Sequence, residues 1–126
     1  MTGPGRIFAL CCLLAGPASA ETLPSGQAAV LWQILWERGG GDMPQAVLRF
    51  IAPGVAGVDP DDVQADLAWL CDTHGVPVAG LPNAPTGGIV VTLMDRPVPR
   101  GTTDPQAIQF FGAFTVEEGR CTEDAL

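Results

Sequence analysis

Cys71 and Cys121 are the only cysteines beyond residue 20, and a bond between them would tie the middle of the chain to its end. No other feature limits the accessible folds as sharply. Closing a loop of about fifty residues stabilises by roughly 4 kcal/mol on the chain-entropy argument. A small domain has only roughly 5–15 kcal/mol in total. Cys71 also falls on the clearest helix, Asp59 to Gly75. Asp59 is an N-cap, its carboxylate accepting from free backbone N–H groups of the first turn. Pro60 suits the first helical position, and Asp61 and Asp62 add negative charge beside the positive end of the helix dipole. Val63, Leu67, Leu70, Cys71 and His74 fall within about 100° on a helical wheel, with Asp61, Ala65 and Asp72 opposite. Gly75 is expected to end the helix as a left-handed residue.

The bond requires an oxidising compartment, and the first twenty residues provide the address. Arg6 is a positive n-region, Ile7 to Ala15 an apolar h-region, and Ala18-Ser19-Ala20 a small-residue cleavage site. Cys11 and Cys12 leave with this leader. The apolar run is too short to span a bilayer. Cleavage after Ala20 leaves one small domain, residues 21–126, located in the periplasm or secreted. With two cysteines remaining in an exported chain, one disulfide, Cys71–Cys121, is expected. Five arginines against fourteen acids set the charge of this domain at −9. Such a surface disfavours nucleic acid and anionic lipid, so no nucleic-acid partner and no stable membrane insertion are expected.

Along the domain, Ala28 to Glu37 is apolar on both alternating faces, and periodicity alone does not separate strand from helix. A strand is expected because Gln45 to Ala52 supplies a second one after the short loop Arg38 to Pro44, and the two read as a hairpin. Trp32 and Trp36 are then core residues. Pro53 to Val58 is a connector, followed by the helix. Val76 to Gly87, with three prolines, is a second connector. Gly88 to Asp95 holds the strongest strand, Ala107 to Glu117 alternates again, and Arg120 to Asp124 pairs back as a short last strand carrying Cys121. The order β-β-α-β-β-β implies an α+β fold, one helix on one face of an antiparallel sheet.

Leu23-Pro-Ser-Gly-Gln27, Leu48-Arg-Phe-Ile-Ala-Pro53, Leu70-Cys71-Asp72, Asp95-Arg-Pro97, Thr103-Asp-Pro105, Phe110-Phe111 and Gly119-Arg-Cys121, together with the leader, resemble a family of small exported alphaproteobacterial proteins with no established function. Some members carry the automatic label acetolactate synthase. A domain of 106 residues has no room for a thiamine-diphosphate enzyme and shows no cofactor fingerprint. The resemblance supplies no catalytic residue, and no cofactor is expected.

Four features invite chemistry. Cys71 and His74 lie three apart on one helical face, which suits a nucleophile with its base or part of a metal site. Zinc wants about four ligands, and the disulfide consumes the thiol. Asp59-Pro-Asp-Asp62 invites calcium, but an EF-hand loop needs Gly and Glu where Gln64 and Leu70 stand. Arg96 and Arg100, in the loop after the strongest strand, are the candidate ligand-binding residues for an anionic molecule. The plainer reading is local ion pairing, Asp95–Arg96 or Asp104–Arg100. Trp69 lies about 150° from the apolar stripe, either covering a connector or serving as an exposed partner-binding anchor. The expected function is non-catalytic binding of a periplasmic protein or small ligand. The alternatives are a small enzyme using carboxylates such as Asp95 and Asp104, and a thiol or metal protein using Cys71 and His74.

Overall fold

The computed structural model describes residues 19–38 and 43–124. Residues 1–18 of the expected leader and Gly39-Gly40-Gly41 of the first loop lie outside the described residues. Six strands form one sheet in sequential order: β1 (Glu21–Thr22), β2 (Ala28–Arg38), β3 (Pro44–Ile51), β4 (Gly88–Met94), β5 (Gln109–Glu117) and β6 (Arg120–Glu123). Between β3 and β4 the chain makes a 3-10 turn at Val55–Gly57, then α1 (Pro60–Leu70), a π-helical turn at Cys71–Gly75, and α2 (Val76–Ala79).

The α+β arrangement is present, with two corrections to the expected order and pairing. An additional strand, β1, precedes the hairpin, so the helix follows three strands. The sheet is mixed: β3 and β4 run parallel, from Gln45↔Gly88 to Ile51↔Met94, while all other neighbours are antiparallel. A strand–helix–strand connection returns the chain to the end at which it started, which makes the two flanking strands parallel. The short β1 was illegible because two residues carry no periodicity.

The helix starts as its residues dictate. The Asp59 carboxylate accepts from the Asp61 N–H at 2.9 Å, and Pro60 occupies the first turn. Its end differs from expectation. Gly75 is right-handed, at φ −73°, and the chain continues through α2 to Gly80. The connector expected over Val76 to Gly87 thus begins as helix. The widened turn precedes Pro77, which has no N–H to contribute to the ladder behind it. Gly75 is required for space instead of φ: a Cβ there would lie 3.0 Å from Ile89 Cγ2 and 3.1 Å from Cys71 Sγ.

One face of the sheet packs against the helix. Val63, Leu67, Leu70 and Cys71 are buried there with Leu48, Phe50, Val91, Leu93 and Phe114. Gly112 of β5 permits this approach, because a Cβ would come within 2.8 Å of the Phe114 ring and 3.4 Å of Leu67 Cβ. Cys71 and Cys121 form a disulfide, with Cα atoms 6.1 Å apart. Asp72 Oδ1 accepts from the Cys121 N–H at 2.9 Å, so the covalent link and a hydrogen bond hold β6 to the π turn together.

A second clamp holds the N-terminal segment. Asp66 is fully buried and accepts from the Ser25 N–H, the Ser25 hydroxyl and the Gln27 side-chain amide. A buried carboxylate is tolerable when its lone pairs are this well satisfied. His74 Nε2 lies 2.7 Å from Glu21 Oε1, joining β1 to the same helix.

Trp32 and Trp36 are not core residues; they are 37% and 43% exposed. A bulge explains the exposure of Trp32, whereas Trp36, opposite the core residue Ala46, shares the face of Ile34 and is exposed near the end of β2. Leu31 pairs with Phe50 and Gln33 with Arg49, so Trp32 is an extra residue with no partner in β3. An inserted residue reverses the inward–outward alternation beyond it. Ala29 and Leu31 pack on the helix side before the bulge, and Ile34 does so after it.

Candidate functional site

The other face of the sheet carries no helix, and its chemistry is concentrated in one cross-strand row. Gln33 pairs with Arg49, Arg49 with Thr92, and Thr92 with Phe111. Alternation along β3 places Arg49 opposite the helix, because its neighbours Leu48 and Phe50 both belong to the core. Trp32 reaches the same face through the bulge, and its ring centroid lies 5.1 Å from the Arg49 guanidinium carbon. The row therefore has a buried cation beneath a half-exposed indole, beside Phe111, which is 53% exposed.

Arg49 is only 2% exposed. It donates to Gln33 Oε1 at 2.8 Å, to the Val98 carbonyl and, weakly, to Met94 Sδ. Among the described residues no carboxylate pairs with it directly, and its Nε–H has no acceptor. The Thr92 hydroxyl, the next residue in the row, is likewise buried without a partner. Burial pushes the guanidinium below its ordinary value, and the nearby Arg100 charge adds to this while Glu37 opposes it. A buried, uncompensated charge is expensive, and one so placed marks a candidate site. The contact with Val98 also holds the loop after β4 across the sheet.

Glu37 and Arg100 close one side of this cluster. The Arg100 Nε–H and NH2 groups donate to the two Glu37 oxygens at 2.6 and 2.8 Å. The hydrogen bond from Arg100 holds the Glu37 carboxyl below the usual glutamate range, and the same bond raises Arg100. Arg49, Glu37 and Arg100 together carry one net positive charge, in a chain with net charge −8.

The residues singled out in the sequence separate into distinct places. Arg100 belongs to the cluster, but its partner is Glu37, sixty-three positions away, instead of Asp104. Arg96 is bound bidentately to Asp95 at 3.1 and 3.0 Å, as the plainer reading expected. That pairing, with the Ile108 N–H, holds the Asp95 carboxyl below its ordinary value. A general acid needs the opposite shift. Trp69 is partly buried and packs against the core. Cys71 is oxidised, and His74 faces Glu21. Arg49, Thr92 and Asp66 were not singled out. The only signal was a cation in the middle of the apolar run Val47-Leu-Arg-Phe-Ile51.

One further concavity, of about 320 Å³, lies between α2 and the start of β4. Val76, Ala79, Ile89 and Val116 give it apolar walls, and the Thr86 hydroxyl in it is buried without a partner.

A model of a family of unknown function, DUF6497, matches residues 9–126. No curated protein and no solved structure matches the chain.

Proposed function

We propose that this chain, which belongs to the DUF6497 family of unknown function, is an exported, non-catalytic binding domain that presents the helix-free face of its sheet to a protein or small ligand. One observation carries the reading: Arg49 is buried in that face with an unpaired Nε–H, beside the unpaired Thr92 hydroxyl and under Trp32. Such a row favours an oxygen-bearing, negatively charged group flanked by apolar surface. Arg100 stands beside the row in its ion pair with Glu37, while Arg96 in the same loop is neutralised by Asp95. Export is supported by the leader pattern, by the disulfide, and by the start of β1 at Glu21, the residue after the expected cleavage site. The likeness to small exported alphaproteobacterial proteins supports the same address.

Crosslinking in the periplasm tests both parts. A photoreactive residue replacing Phe111 or Trp32 should capture a partner or ligand, and one replacing Asp61 on the outer helix face should not. The captured protein should begin at Glu21 by mass. Capture from Asp61 alone would reject the helix-free face, and a retained leader would reject export.

The 320 Å³ concavity supports a second reading, a small apolar ligand with one hydrogen-bonding group that satisfies Thr86. Amide shift changes confined to Thr86, Ile89 and Val116 on titration with such a ligand would favour this site over the row.

A further inference from the structure

The sheet has two edges, and they are protected very differently. β6 ends one side. It is short and mostly exposed, it carries Arg120 and Glu123, and Asp124 follows. Charges on a short edge strand discourage pairing with another chain. β2 ends the other side. Among the described residues β1 covers only Ala28 and Ala29 of its eleven residues, leaving the outer edge from Val30 to Arg38 without a neighbour.

This open edge is unlike a protected one. Val30-Leu-Trp-Gln-Ile-Leu-Trp36 is seven residues with no charge, no proline and no glycine. None of its side chains is fully buried. The strand is long, and its backbone groups on the outer side are available for a ladder. The bulge at Trp32 is the one interruption.

We propose that β2 pairs antiparallel with β2 of a second copy of this chain, joining two sheets across a two-fold axis near Ile34 and Leu35. The charge pattern selects this occupant. The chain as a whole carries −8, yet the proposed seam is neutral, so two acidic copies approach there with least repulsion. Glu37, the acid nearest the seam, is already bound by Arg100. Antiparallel pairing about the middle of the open span also carries Arg38 of each copy toward the end of the partner's strand where Glu21 stands opposite Ala29. The contact is isologous and closes on itself. The strand offers a small interface by the standards of stable dimers, so the dissociation constant falls in the range of about 1–100 μM.

The test uses the mature, disulfide-intact protein. Sedimentation equilibrium should give a dimer mass at high protein concentration and a monomer mass on dilution. Amide exchange should show concentration-dependent protection within Val30–Arg38 and none in β6. Trp36→Lys, at an exposed position, should weaken association by at least about tenfold, the scale of losing one buried aromatic anchor, with the thermal midpoint of the monomer unchanged. Three results would overturn the proposal. They are a monomer up to about 1 mM, a dimer whose protection maps to another surface, and a monomer that takes up an extended peptide along β2 without self-pairing.

Discussion

Glu37 and Arg100 show what a single surface pair contributes here. The Glu37 carboxyl is lowered mainly by the hydrogen bond from Arg100. Its stabilisation is therefore complete above the ordinary glutamate pKa of about 4.3 and is lost as pH falls through the lower folded value. Both side chains are partly exposed, so the gain at neutral pH is at most about 1 kcal/mol. Glu37→Gln should be less stable than the parent near pH 7, with the difference closing below about pH 4. Chemical denaturation at several pH values measures it, and a difference independent of pH would remove the ion pair as its cause. Asp66 is the opposite kind of residue. It is buried and fully bonded, and its partners Ser25 and Gln27 lie about forty positions earlier. The sequence showed Leu23-Pro-Ser-Gly-Gln27 as a motif and Asp66 as one acid of many. Their relation required the fold, because an aspartate within a helix ordinarily faces water.

At the scale of elements, the helix was legible at its start and not at its end. Asp59 and Pro60 act through the first turn alone, so local sequence suffices. Gly75 acts through Ile89 and Cys71, which approach from a strand and from the turn before it. Glycine in a helix forfeits about 1 kcal/mol relative to alanine. Overpacking a tight site costs typically 1–3 kcal/mol. Here Ile89 is buried and Cys71 is held in the disulfide, so neither yields readily, and the packing cost outweighs the gain in propensity. Gly75→Ala should destabilise by about 1–2 kcal/mol, read from the denaturant midpoint at constant slope. Increased stability would show instead that the π turn can relax. β2 makes a related point. Its strand character was readable, but one unpaired residue at Trp32 reversed the faces beyond it. The bulge turned one expected core tryptophan outward and placed Trp32 over Arg49, while Trp36 keeps the face of Ile34 and is exposed near the end of the strand.

At the scale of the molecule, the disulfide joins residues 50 positions apart and closes a loop that runs from the helix through β4 and β5 to β6. Cys121→Ser should lower stability by roughly 4 kcal/mol on the chain-entropy argument, or somewhat less if the reduced chain retains structure. The thermal midpoint should fall, while the reducing agent that lowers the parent's midpoint should leave the variant unaffected. Equal stability of parent and variant would mean that Asp72 and the β5–β6 ladder alone secure the last strand.

Sequence alone determined the features that depend on local chemistry: the helix start, the positions of the five strands after β1, the α+β class, and a pairing that two cysteines leave no choice about. Tertiary structure alone decided the parallel β3–β4 pairing, the continuation past Gly75, the exposure of Trp32 and Trp36 and the clustering of Arg49, Thr92, Glu37 and Arg100. Each of these depends on which strands become neighbours, and on the bulge that sets their faces. Periodicity within one segment reports the repeat of that segment. It carries no information about the segment that will lie beside it.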